Sequence, residues 1–136
     1  MSIMMLSCEN TDCLSFSRNY LIIQFLDSSN VKKNIEVDYI TATGSPFLFY
    51  SDTVFNQVAL PINTEQSQTT YIFGNTDNST DTLSVGYIQR QRLISETCGF
   101  ELQYQNLQIL GTSFPEAVLQ FEELNLLNNV DVKIYH

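Results

Sequence analysis

At 136 residues the chain is one domain's worth, and a hydrophobic fraction of 43% supports a packed core and excludes disorder. Fifteen acids against six bases leave a formal charge of −9, and Lys32–Lys33 is the only adjacent basic pair, which argues against a nucleic-acid partner. No apolar run approaches the roughly 18 residues that a spanning helix requires.

The chain opens on a short apolar run, Ile3–Leu6, followed by the small residue Ser7 and then Cys8. A cysteine in that setting is where bacterial lipoproteins are cleaved and acylated, so Cys8 is the candidate lipidation site and a membrane the expected partner. Residues 1–12 then read as signal remnant and tether, and 13–136 as the folded domain. The run is shorter than a signal h-region of about 7–15 residues, and no Lys or Arg precedes it. The lipid reading therefore expects either a start placed too late or a signal of which only the tail is present. The alternative is an ordinary cysteine in a frayed terminus.

Three cysteines are an odd number for an exported chain. Acylation of Cys8 would leave Cys13 and Cys98 to pair, and so long a loop is worth about 4–5 kcal/mol in the chain-entropy account. The alternative is a pair of reduced thiols in a cytosolic β-domain.

Beyond residue 19 the dominant period is two. Tyr20–Leu26 is β-branched and aromatic and reads as a strand buried on one or both faces. Asn34–Ala42 alternates strictly, with Ile35, Val37 and Tyr39 on one face and Glu36, Asp38 and Ile40 on the other. It closes at the turn signal Thr43-Gly-Ser-Pro46. Val54–Ile62 reads as one strand, and Pro61 marks it as an edge strand or a bulge. Thr69–Phe73 and Asp81–Ile88 flank the polar stretch Gly74–Thr80 as a hairpin. Phe100–Leu110 alternates again, and Asp131–Tyr135 is a short closing strand. Ser113-Phe-Pro-Glu116 matches a capping box that would open a short helix over 115–123, and the same residues also fit an irregular strand, so both readings stay open. The pattern predicts a single antiparallel β-sandwich of about seven strands, immunoglobulin-like or transthyretin-like.

Catalytic chemistry is poorly supplied. The single histidine is His136, the last residue, where an oriented imidazole is hard to hold. Asp27, Asp38, Asp52 and Glu101 lie on or beside strands, with no spacing that marks a catalytic pair. Asp77-Asn-Ser-Thr-Asp81 has oxygens at alternate positions, as calcium loops do, but lacks the turn glycine and a distant glutamate. No phosphate loop is present, and no cofactor or metal is expected. Phe47-Leu-Phe-Tyr50 is either an exposed anchor for a partner or the lining of the sandwich rim.

Several pieces together resemble a Bacteroidetes-type family of small exported lipoproteins of unknown function. They are Cys13 ahead of Leu21–Phe25, the stretch Val58-Ala-Leu-Pro-Ile-Asn63 followed by Thr70–Phe73, Asp81-Thr-Leu83 leading to Cys98-Gly-Phe100, and the terminal strand. The resemblance implies an exported, lipid-anchored β-sandwich with no established enzymatic role, and it favours a strand over 115–127. Asp52-Thr-Val54 and Asp81-Thr-Leu83 also resemble the O-glycosylation signal of that bacterial group, which makes Thr53 and Thr82 candidate sites. Otherwise they are ordinary turn-to-strand threonines. The expected role is a non-catalytic binding or structural module at the cell envelope, with a protein or glycan partner. The rival is a small carboxylate-dependent hydrolase or carbohydrate-binding domain.

Overall fold

The computed structural model describes Cys13 and residues 15–136. Among them nine strands follow one another: β1 (Tyr20–Leu26), β2 (Ile35–Ala42), β3 (Tyr50–Phe55), β4 (Gln57–Pro61), β5 (Gln68–Asn75), β6 (Thr80–Ser95), β7 (Gly99–Thr112), β8 (Glu116–Leu119) and β9 (Val132–Tyr135). They form two sheets, in the orders β4-β1-β9-β8 and β3-β2-β5-β6-β7. Every pairing is antiparallel except β1 with β9, which is parallel. The expected β-sandwich is present, with nine strands in place of about seven.

Period-two patterning builds the core. Leu21, Ile23 and Phe25 point inward from β1, Val58 and Leu60 from β4, and Val132 and Ile134 from β9. Opposite them lie Tyr71 and Phe73 of β5 and Leu83 and Val85 of β6. Each such side chain contributes about 1.5–3 kcal/mol by leaving water. At one end Phe25 meets Phe55, Phe73 and Phe114 edge-to-face, with ring centroids 5.6, 6.0 and 5.6 Å away.

Several elements differ from the sequence reading. The residues expected as one strand from Val54 to Ile62 are two strands in different sheets. The chain crosses between sheets at Asn56, whose carbonyl accepts the Phe25 amide at 2.7 Å. Val54 is consequently exposed while Val58 and Leu60 are core. Pro61 closes β4, which is an edge strand as its missing N–H requires.

In β2 the register against β5 slips between Val37 and Tyr39, so the strict alternation does not persist. Asp38 becomes the extra residue of a bulge, and Ile40 and Ala42 turn inward where Tyr39 was expected.

Of the two readings left open for 115–123 the strand is the one present: Glu116–Leu119 is β8, paired antiparallel with β9, and no helix forms there. The capping residue is otherwise engaged. Ser113 Oγ accepts the Thr82 amide at 2.9 Å and donates to Asp81 at 3.0 Å, while Phe114 is buried in the aromatic cluster. Those contacts hold the chain extended where a helix would have to start.

The hairpin β5–β6 closes through a turn at 76–79, shorter than the expected loop, with Gly74 already paired to Thr80. A side chain at Gly74 would enter the Tyr39 ring, so glycine is required there by close approach. Strands β6 and β7 run much further than expected. Gly86 pairs with the first residue of β5, and the Tyr87 amide still donates to the Ser67 carbonyl at 2.9 Å; from Ile88 on, β6 is paired with β7 alone, and the two form a ribbon that projects past the sandwich.

Candidate functional site

The ends of β2 and β4, the start of β5 and the ribbon all lie at one end of the molecule, as the register of Tyr20 with Pro61 and of Gln68 with Gly86 requires. Two features are built there, a cleft and the exit of the N-terminal segment.

The cleft, of about 260 Å³, lies between the β2–β3 turn and the β4–β5 loop. Gly44, at φ 84°, lets the chain reverse after Ala42, and Ser45 then donates its amide to the Ala42 carbonyl at 3.0 Å. Thr41 Oγ1 and Ser45 Oγ both donate to the Phe47 carbonyl, at 2.7 and 3.1 Å, which turns Phe49 toward the cleft. On the other wall Asn63 donates its amide to Thr69 Oγ1 at 2.8 Å, and Thr69 shares a 2.7 Å hydrogen bond with the Tyr87 hydroxyl. Tyr87 in turn donates to the Asn63 carbonyl. Burial pushes the Tyr87 phenol upward, so it stays a neutral donor at physiological pH. Tyr71 adds a hydrogen bond to the Pro61 carbonyl at 2.8 Å, and burial also raises its hydroxyl.

These bonds fix the backbone and leave other groups free to meet a ligand. The lining combines an apolar wall of Phe49, Ile62 and Pro61 with the side-chain amides of Gln66 and Gln68 and the hydroxyl of Thr43. Among the described residues no ionisable side chain lines the cleft. Such a lining can hydrogen-bond and stack, and it holds no acid or base for proton transfer.

At the second feature the structure brings Cys13 and Cys98 together as a disulfide, with Cα atoms 5.4 Å apart at a sequence separation of 85. Cys98 lies in the turn that joins β6 to β7. Cys13 is exposed, so the bridge is unlike the buried inter-sheet disulfide of immunoglobulin domains. A few residues on, Arg18 is buried and clamps three parts of the chain. Its Nη1 and Nη2 donate to both carboxylate oxygens of Asp131 at 2.6 and 2.7 Å. Its remaining donors reach the carbonyls of Tyr20, Asn125 and Asn128. Asp131 also accepts the Ile22 amide at 2.8 Å. On the ribbon, Glu101 is buried and takes a 2.8 Å hydrogen bond from Arg92 Nε. The Ser15 hydroxyl and then the Arg92 guanidinium hold its carboxyl below the usual carboxylate range. Neither Arg18 nor Asp131 stood out in the sequence, since a lone Arg between Ser17 and Asn19 carries no local signature.

The other residues singled out from the sequence are dispersed. Asp27 accepts the amides of Ser29 and Val31 and shapes a turn. Asp38 and Asp52 are exposed on β2 and β3, between the register pairs Val37–Thr53 and Tyr39–Ser51, and neither reaches the cleft. Asp77 accepts the Ser79 hydroxyl and amide, and Asp81 accepts Asn75 at 2.9 Å, so the calcium-like stretch is an internally bonded turn. The Ser79 hydroxyl bond, followed by its amide, holds the Asp77 carboxyl low. Among the described residues no group of three or more His, Cys, Asp or Glu is placed to hold a metal. Phe47 and Leu48 are exposed on the rim, while Phe49 and Tyr50 are half-buried. Thr53 lies within β3, half-buried, its hydroxyl donating to the Ser51 carbonyl at 2.8 Å. Thr82 is half-buried within β6, its carbonyl accepting Thr112 Oγ1. Cys8 and the apolar run before it lie outside the described residues.

A two-sheet β domain with a neutral cleft and a disulfide-tied N-terminal segment is the class the geometry defines. The chain belongs to a family of unknown function, DUF6452, whose pattern matches residues 35–136. The match begins at β2, so it includes Cys98 but neither Cys8 nor Cys13. No curated protein and no solved structure matches the chain.

Proposed function

We propose that the protein is a non-catalytic binding module of the bacterial cell envelope, exported, held to a membrane by lipid on Cys8, and oxidised at Cys13–Cys98. The observation that carries the binding role is the cleft. Its backbone is locked by the Thr69–Tyr87–Asn63 bonds, and its free groups are amides, hydroxyls and an aromatic ring without any charge. That chemistry suits a neutral, hydroxyl-rich ligand such as a glycan: Gln66 and Gln68 offer donors and acceptors, and Phe49 offers a face for the apolar side of a sugar. Placement of the lipid on Cys8 is supported by the Ser7–Cys8 junction and by the resemblance to small exported lipoproteins, and the disulfide geometry suits an oxidising compartment.

The ligand reading is tested by titrating the full chain with a panel of neutral and acidic oligosaccharides in a calorimeter. Binding of a neutral member should weaken on Gln66→Ala or Gln68→Ala by about tenfold, as loss of a hydrogen bond predicts. Binding that survives both substitutions places the ligand elsewhere, and absence of binding to any neutral member removes the glycan reading. The anchor is tested by intact mass of the protein isolated from its own cells. A diacylglyceryl or acyl increment on a chain beginning at Cys8 is expected; a chain retaining residues 1–7 without lipid would sink it. The same spectrum reads whether the chain carries any hexose increment, for which Thr53 and Thr82 are the candidate sites.

A further inference from the structure

One apolar stripe starts in the core and becomes progressively uncovered by the described chain toward the ribbon tip. On β7, Tyr104, Leu102 and Phe100 point the same way, two residues apart, and their exposure rises from 3% to 40% to 65% toward the tip of the ribbon. Leu93 of β6 is the register partner of Phe100 and shares that face, and it too is exposed. The stripe emerges because β6 has lost β5 as a neighbour by Ile88, so the ribbon runs on after the sandwich ends.

The same end of the molecule exposes a second apolar group. Phe16 lies three residues beyond Cys13, and its carbonyl accepts the Leu126 amide at 2.7 Å. Phe16, Leu126 and Leu127 are all exposed. The bridge Tyr104–Leu124 and the Ser17–Asn125 pairing tie this group to the base of the ribbon. Six large exposed apolar side chains therefore lie at the end of the molecule where the N-terminal segment leaves the domain, and the segment itself is fastened to the ribbon tip by Cys13–Cys98. Scattered apolar residues need no partner, but a group of this kind marks a contact surface.

We propose that this face rests on the bilayer, with Phe100, Leu93 and Leu102 entering the boundary between headgroups and acyl chains. The proposal rests on the Cys8 anchor argued above, and chain length selects the occupant. Cys8 precedes Cys13 by five residues, which span at most about 18 Å however they are arranged. A lipid on Cys8 thus brings the ribbon tip to the membrane surface whatever the orientation of the rest of the domain. Charge placement agrees with a neutral surface. Arg90 and Arg92 sit on the ribbon with Glu96 and Glu101, so the arm carries balanced charge in a chain of net −9. Their long side chains can keep their heads in the headgroup layer while the stripe sinks below it.

The chain contains no tryptophan, so one introduced indole reports on its own surroundings. With Cys13 and Cys98 bridged, Cys8 is the remaining thiol, and the full chain can be coupled through it to a maleimide-bearing lipid in phosphatidylcholine vesicles. This imposes the tether, so the outcome is independent of whether cells acylate Cys8, which native mass decides separately. Phe100→Trp and, as a second reporter, Leu93→Trp should shift to the blue on tethering and lose emission to brominated acyl chains. Val54→Trp, exposed on the opposite edge strand β3, should do neither. Equal quenching at 54 and 100, or no quenching at either ribbon position, overturns the proposal. So does a blue-shifted ribbon reporter in the untethered chain that follows protein concentration, because the face would then be covered by a second copy.

Discussion

Removing Asp131 should unfold the domain more readily than loss of any surface charge. Its carboxylate is fully buried, accepts two hydrogen bonds from Arg18 and one from the Ile22 amide, and has no water to fall back on. Asp131→Ala leaves the guanidinium buried with two donors unpaired. Breaking a buried pair by deleting one partner is worth about 3–5 kcal/mol. Against a total of about 5–15 kcal/mol for a domain, that is a large share. For a chain of this length the melting temperature should fall by roughly 10–18 °C. Arg18→Met should lose at least as much, because the carbonyls of Tyr20, Asn125 and Asn128 lose their donor as well. The double variant Arg18→Met with Asp131→Leu is the control. It removes the charges together and should recover part of the loss, since apolar replacement of a buried pair is often close to neutral. Thermal unfolding followed by circular dichroism reads all three. A fall of less than about 3 °C for Asp131→Ala, where ~1 kcal/mol is the worth of an exposed pair, would refute the reasoning.

Three further outcomes are expected. Alkylation of the folded chain produced without lipid, before reduction, should label Cys8 alone, and Cys13→Ser with Cys98→Ser should lower stability by about 2–5 kcal/mol in urea titration; labelling of all three thiols would contradict the bridge. Gly74→Ala drives a methyl into the Tyr39 ring and should cost about 1–3 kcal/mol, read from the same titration, with relief in the Tyr39→Ala background. The depressed Glu101 carboxyl implies a contribution that is complete above the unfolded value of about 4.3 and lost as pH falls through the lower folded value. Urea midpoints measured from pH 6 down to pH 2 should therefore show a smaller acid loss for Glu101→Gln than for the parent chain.

The period-two pattern determined the fold class by itself, because alternate apolar residues can be buried together only on a sheet. Leu21, Ile23 and Phe25, Val58 and Leu60, and Leu83 and Val85 sit in the core as their spacing requires. Cys13 and Cys98 were also legible as a pair once Cys8 was set aside for acylation. What the sequence could not carry were the points where the chain changes sheet or phase. The crossing at Asn56 looks like the middle of one strand, since alternation is the same on either side of a corner. The bulge at Asp38 inserts one residue, and only the register with β5 reveals it. The capping signal at Ser113 was real chemistry used for another purpose, because Asp81 and the Thr82 amide reach the hydroxyl across the sheet. The cleft, the Arg18–Asp131 clamp and the exposed ribbon stripe were decided by tertiary structure alone. Each depends on residues far apart in the chain, and a local pattern records what a segment prefers, not what the fold brings against it.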